Sequence, residues 1–290
     1  MPVTESPYDV LVVGGAGVDT IVRVDRLELP ASDSIGVPPV RDHVGHTGTG
    51  VAVGCHRLGL RTKFIDFLGD DPQGEQVLAA YRRHGLDFSH LLSPAGTPRG
   101  VNLVDRQGRR FSFYDGRHPA DLALPREFYL PFLERARHVH LSITGVNRHL
   151  YEDIRRLGPT CSTDLHAWDG RNPHHRHYAI NSDLVFLSAA GCEGRHEQLM
   201  RAVLAEGRAR LVVATDGAAG SHLLTREDDT VRHFPAVDPG RPIIDTNGAG
   251  DAFVSGFLAA TFAGEPPHTA MEHASRTAAE ACTTPGVLED

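Results

Sequence analysis

A carboxylate set just inside a glycine-bare helix start can hold an anion and take up a proton at one point. The stretch Asp245-Thr246-Asn247-Gly248-Ala249-Gly250-Asp251 offers that arrangement. Gly248, Ala249 and Gly250 leave the backbone bare where free N–H groups and a positive dipole end face outward. Such a turn cradles an anion and stabilises the charge that builds on a phosphoryl group in transfer. Asp251 falls in the first helical turn, beside the cradle. Within reach of an acceptor hydroxyl it is a candidate general base. The plainer alternative is a tight loop whose aspartate only caps a helix.

The elements that must position this turn lie on both sides of it. Pro242-Ile243-Ile244 precedes it as an apolar run, and residues 252–260 continue it as a helix. Phe253, Phe257 and Thr261 recur every four residues, which predicts one inward face. Residues 8–15 read as a buried first strand, followed by Ala16-Gly17-Val18-Asp19. Gly15-Ala16-Gly17 begins a dinucleotide-type pattern, but Thr20 stands where the third glycine belongs. From residue 137 onward strand and helix alternate, the order of a parallel sheet with right-handed crossovers. Residues 20–44, broken by Pro30, Pro38 and Pro39, read as short strands. Residues 98–120 read as a hairpin turning at Asp105-Arg106-Gln107-Gly108, with Arg117 and His118 at a solvated end. Asp164 is expected to line the cleft. His174, His175 and His177 invite a metal, yet no fourth ligand is spaced to help, and a solvated loop is expected.

Composition narrows the chemistry. The chain has 290 residues, 40% of them hydrophobic, enough for a substantial core. No apolar run approaches the roughly 20 residues of a membrane span, and residues 1–6 lack a signal-peptide pattern. A cytoplasmic protein is expected. Cys55, Cys161, Cys192 and Cys282 are too scattered for a disulfide framework or zinc site. A net charge of −8 argues against a nucleic-acid partner. Lys63 is the only lysine, and it lies in Arg61-Thr62-Lys63-Phe64. That excludes a Walker phosphate loop, and no Val-Ala-Ile-Lys pattern supports a protein kinase. Backbone amides, metal and arginine must neutralise any phosphate bound here.

The full string from Asp245 to Asp251 resembles the Asp-Thr-x-Gly-Ala-Gly-Asp signature of ribokinase-like (PfkB-type) sugar and nucleoside kinases, matching every fixed position. The resemblance covers nearly the whole chain. It implies an α/β fold, a three-layer α/β/α sandwich with a small β-sheet lid. A single kinase domain would then span 1–290, with lid segments at about 20–44 and 98–120. Asp19 matches the family's substrate-binding aspartate. Gly45-His46-Thr47-Gly48-Thr49-Gly50 resembles the family's Gly-Gly-Lys-Gly-Ala-Asn, with His46, Thr47 and Gly50 departing from it. On the resemblance, Gly45, Thr47 and Gly48 join Asp19 at the substrate. The side chain that would pair a hydroxyl at Gly50 is absent, which argues against a ribose preference. Gly69, Asp71 and Gly74 match a Gly-x-Asp-x-x-Gly stretch with a structural role.

Thr215-Asp216-Gly217-Ala218-Ala219-Gly220 resembles the turn that meets ATP phosphates, so Thr215, Gly217 and Gly220 would contact ATP, with Ser188 and Asn247 beside them. Ser188 and Gly191 stand where the family carries Asn-x-x-Glu, so no carboxylate is offered for the metal. ATP with Mg2+ is still implied, the metal held mainly through ATP, with Glu193 expected to be nearly silent. Asp245 is implied at a monovalent-cation site that would take K+. The expected reaction is ATP-dependent phosphorylation of a hydroxyl of a small sugar or sugar derivative, with Asp251 as base. A nucleoside kinase and a catalytically weakened sugar-binding or regulatory protein are the alternatives. Exposed lid strands would let two copies pair as a homodimer.

Overall fold

The first strand, β1 (Tyr8–Val13), is apolar toward both faces, as a strand covered on two sides must be. Val10 and Val12 enter one core, whereas Leu11 and Val13 enter another across the sheet. The structure, a computed structural model, describes residues 8–28, 32–106, 110–192, 194–284 and 286–288. Expectations that fall on residues 1–7, Pro30, the Gln107-Gly108 turn and Glu193 lie outside the described residues.

Among the described residues the main sheet has nine strands. In spatial order they are β13 (Arg232–Phe234), β12 (Ser221–Thr225), β11 (Leu211–Thr215), β10 (Leu184–Ser188), β9 (Thr160–Asp164), β8 (Ala136–Leu141), β1, β4 (Thr62–Leu68) and β5 (Asp87–Leu92). Pairing is parallel from β5 through β11, and the last two strands return antiparallel at one edge. Helices α1 (Thr47–Arg57), α2 (Pro72–Arg83), α7 (Ala249–Phe262) and α8 (Pro267–Ala281) cover one face. Helices α3 (Arg126–Leu133), α4 (Leu150–Leu157), α5 (Pro173–Asn181) and α6 (His196–Glu206) cover the other. The result is the three-layer sandwich the resemblance implied.

A smaller sheet joins the two expected segments in the order β3 (Arg41–Gly45), β2 (Gly17–Arg23), β6 (Arg99–Val104) and β7 (Arg110–Asp115). The parallel β2–β6 pair ties the two segments together, and β6–β7 is the expected hairpin. β1 pairs with β4 on one side and β8 on the other, so strand order reverses there. At such a reversal, ligands bind beyond the carboxyl ends of the strands. Gly14 and Gly15, with φ of 84° and 89°, turn the chain out of β1 and into β2. Asp19, expected just past the first strand, therefore sits inside the small sheet.

Other elements differ from the sequence reading. The run 173–177 is not a solvated loop but the start of α5, capped by Asn172, whose side chain accepts the His174 N–H at 2.9 Å. His174 turns inward and meets the Ile143 carbonyl at 2.8 Å. Among the described residues no group of three potential ligands could hold a metal ion. In α7 the buried face is Phe253, Val254, Phe257 and Leu258, whereas Thr261 is exposed and bonds the Phe257 carbonyl. Burying each phenylalanine contributes about 1.5–3 kcal/mol to holding α7 in place. Ile243 and Ile244 form no strand and are more than half exposed. Among the described residues no helix is long and apolar enough to cross a membrane. The lone Lys63 is buried in β4, where it meets Asp87 at 2.6 Å and Ser89 at 2.7 Å.

Candidate active site

Two helix starts face each other at the reversal point. α7 begins at Gly248, whose φ of 80° is left-handed, and no side chain caps it. The Ala249 N–H bonds the Thr246 carbonyl at 3.3 Å, and among the described residues the Gly250 and Asp251 N–H groups have no backbone partner. α1 begins at Thr47, pressed so tightly to the end of β1 that a Cβ on Gly48 would lie 1.9 Å from the Gly14 carbonyl oxygen. The two starts meet at Asp251: the Thr47 hydroxyl donates to its Oδ1 at 3.0 Å. A Cβ on Gly50 would sit 2.3 Å from Asp251 Oδ2. Gly50 is thus the clearance that lets the carboxylate in, and not merely a missing hydrogen-bonding side chain.

Asp164 ends β9 beside the same point. Its Oδ1 accepts the His166 N–H at 2.8 Å, and its Oδ2 would be 3.9 Å from a Cβ on Gly250. Burial raises the Asp251 carboxyl well above the usual carboxylate range, and the Asp164 charge pushes it the same way. The Thr47 hydrogen bond and the Arg110 charge oppose that rise. Asp66 beneath the β1 turn is likewise raised, to about 7, by burial. Its carboxylate accepts the Ala16 N–H at 2.7 Å and the Phe67 N–H at 2.8 Å, which fixes that turn.

The lid reaches the cradle through two arginines that sequence reasoning named only as a class. Arg110 of β7 donates to Asn247 Oδ1, and Arg23 of β2 lies 3.5 Å from Asp245. Within the loop, the Asn247 N–H donates to Asp245 Oδ1 at 2.9 Å. On the acceptor side Asp19 accepts the His46 N–H at 3.2 Å. It fits between β3 and β6 because Gly45 and Gly100 are bare: a Cβ on either would lie within 2.5 Å of an Asp19 oxygen. His118 does not stand at a solvated end; its ring packs edge-on against Phe67, half-buried.

On the far side Thr215 and Ser188 are register partners at the ends of β11 and β10. The Ser188 hydroxyl accepts the Ala190 N–H at 3.3 Å, and Thr215 donates to the Leu187 carbonyl at 3.4 Å. Gly217 and Gly220 carry positive φ in the turn that follows. A Cβ on Gly220 would strike the Phe234 carbonyl at 2.1 Å, so this glycine is required by packing. Gly191 is bare for a similar reason, with the Ala167 carbonyl 2.3 Å from where its Cβ would be. No carboxylate can stand there. Asp71 caps α2 and binds Thr97, and this accounts for the Gly69-Asp71-Gly74 pattern.

A model of the pfkB family carbohydrate kinases matches residues 8–290. The chain belongs to that family. An acarbose 7(IV)-phosphotransferase of an Actinoplanes species is 49% identical over 278 residues, 96% of this chain and 93% of its own. A fructoselysine 6-kinase of Shigella flexneri is 30% identical across 81% of this chain and 88% of its own. The solved structure of the microbiome-derived acarbose kinase Mak1 superposes with a TM-score of 0.89 at 40% identity, covering 98% of this chain and 95% of that one. A ribokinase from Giardia lamblia, at 18% identity and a TM-score of 0.82 over 97% and 94% of the two chains, shares the fold. This pfkB kinase is an ATP-dependent phosphotransferase acting on a hydroxyl of a sugar or sugar derivative.

Proposed function

We propose that this kinase phosphorylates a polyhydroxylated carbohydrate of the size of acarbose, with Asp251 as general base. The observation that carries the reading is the meeting of the α1 and α7 starts on the Asp251 carboxylate. The acceptor lies among Asp19, Gly45, Thr47, Gly48 and the lid, its reacting hydroxyl turned to Asp251. ATP lies along Thr215, Gly217 and Gly220, with Ser188 and Asn247 beside it. As the acceptor oxygen bonds to the γ-phosphorus, the bond to the β–γ bridging oxygen breaks and ADP leaves. Asp251 receives the hydroxyl proton, and the Gly248-Ala249-Gly250 amides bind the charge on the phosphoryl oxygens. Lid closure excludes water and so spares ATP from hydrolysis.

The residues present fit Mg2+, since Asp164 Oδ2 faces the cradle as a hard oxygen donor. Asp164 would hold the ion together with water and ATP oxygens, in place of the carboxylate that Gly191 cannot carry. Mg2+, when bound, offsets charge on those phosphate oxygens. Asp245 with the backbone around it would hold K+. Residues 1–290 act as one kinase domain, in the cytoplasm. Phe111 and Phe113 stand more than half exposed on one face of β7, edge-on to each other, and they support pairing of two lids in a homodimer.

The test is ADP release with Mg-ATP and a panel of acarbose, simple sugars, sugar phosphates and nucleosides. Acarbose or another sugar is expected to give the highest kcat/KM. A nucleoside as best substrate would overturn the acceptor assignment, and no turnover on any would favour a sugar-binding protein.

A further inference from the structure

His46 stands where the family motif carries a glycine, and its backbone keeps a glycine-like φ of 68°. A side chain in that region is strained and persists only where its surroundings hold it. They do so here. The ring is only 6% exposed, and Gly17 is bare against it, with a Cβ there 2.4 Å from Cε1. The Tyr114 ring covers it at a centroid distance of 5.5 Å.

The Val18 backbone lies beside the ring as a hydrogen-bond partner. Nε2 is buried, has no hydrogen-bond partner and faces Asp19 Oδ1 at 3.6 Å, beyond hydrogen-bond reach. A buried ring nitrogen left this way is satisfied when a polar group of a ligand arrives. His118 adds a second buried Nε2 without a partner, near enough to feel a charge on His46.

We propose that His46 Nε2 and Asp19 Oδ1 form a polar notch that reads adjacent hydroxyls on the carbohydrate ring. The inference rests on the carbohydrate-kinase reading above and names the feature of the acceptor that the site selects. A ring with neighbouring hydroxyls places one at each group. A ring whose hydroxyls are removed or alkylated leaves both groups buried and unpaired, and is rejected. Asp19 and Tyr114 belong to the lid sheet and His46 to the start of α1, so an occupied notch also ties the lid to the base of the site.

The test compares wild type with His46→Gly and His46→Gln. Glycine suits the backbone at φ 68°, so His46→Gly folds and removes only the ring. Acarbose binding is measured by calorimetry without ATP, and KM and kcat follow from ADP release. His46→Gly is expected to raise Kd and KM for acarbose about tenfold, with kcat and the KM for ATP unchanged. His46→Gln restores a hydrogen-bonding side chain and is expected to recover most of the loss. An unchanged acarbose Kd in His46→Gly overturns the notch. Where wild type prefers another sugar of the panel, that sugar serves as the probe for the same comparison. A wild type that phosphorylates no sugar overturns the kinase reading itself, an outcome distinct from failure of the notch.

Discussion

The phosphate cradle and the acceptor loop are both glycine-rich helix starts, yet they are built under different constraints. At the cradle, Gly248 needs a left-handed φ and Asp251 must lie next to α1. The residue types there answer to backbone geometry and to the proton transfer proposed for Asp251. At the acceptor loop Gly48 is fixed by the β1 turn, but His46, Thr47 and Gly50 depart from the family string. Those departures are coupled: Thr47 donates to Asp251, Gly50 clears room for it, and His46 turns to Asp19. In this chain the cradle's helix start is set by backbone form, whereas the acceptor loop's is set by side chains fitted to one another.

The sharpest break of that contrast is at the cradle. Asp251→Asn keeps size and removes the base, and kcat is expected to fall by about 10²–10⁴ with little change in ATP affinity. Equal turnover by the variant would remove Asp251 from the reaction. On the acceptor side, Gly50→Asn brings in the side chain the family string carries. Its Cβ collides with the Asp251 carboxylate, so kcat should drop for every acceptor, by up to about 10²-fold. A gain in ribose activity with native kcat would show that the loop tolerates the family's residue after all.

A smaller effect concerns stability under the β1 turn. Asp66 has a folded pKa raised to about 7, above the roughly 3.9 of an unfolded aspartate. Its contribution is present in full below the unfolded value and is lost as pH rises through 7. The Tm of wild type relative to Asp66→Asn should therefore decline between about pH 4 and pH 8. A difference that is flat with pH would show that Asp66 is ionised throughout. The smallest effect is at Glu193: with the metal held mainly through ATP, as proposed, Glu193→Gln should leave the Mg2+ dependence and kcat unchanged. A large loss would transfer the metal role to Glu193.

Much of this was legible in residue types at fixed spacing. The parallel sheet was legible in apolar runs alternating with helical patterns, whereas the three-layer sandwich with its lid was implied by the family resemblance. The cradle was legible because Gly248, Gly250 and Asp251 serve backbone and chemistry at once. The α5 start was missed because its histidines carry no apolar period, although Asn172-Pro173 is a helix-start signal. Asp19 was placed one element early because the glycine turn after β1 leads directly into the lid. Contacts between distant segments left no local trace: Arg23 to Asp245, Arg110 to Asn247, and the reason for Gly50 and Gly191. Each depends on how two helices or two sheets approach, which spacing along the chain does not encode.

The account's central claim is that an ionised Asp251, held high by burial and by Asp164, takes the acceptor proton. The most direct measurement is the pH dependence of kcat/KM for the acceptor in wild type and in Thr47→Val, at saturating Mg-ATP. Wild type should lose activity as pH falls, because protonation of Asp251 removes the base. Removing the Thr47 hydrogen bond disfavours the ionised carboxylate, so the acid limb should move to higher pH, whatever the change in maximal rate. An acid limb that stays in place in Thr47→Val, or a wild-type profile with no acid limb, would contradict the assignment.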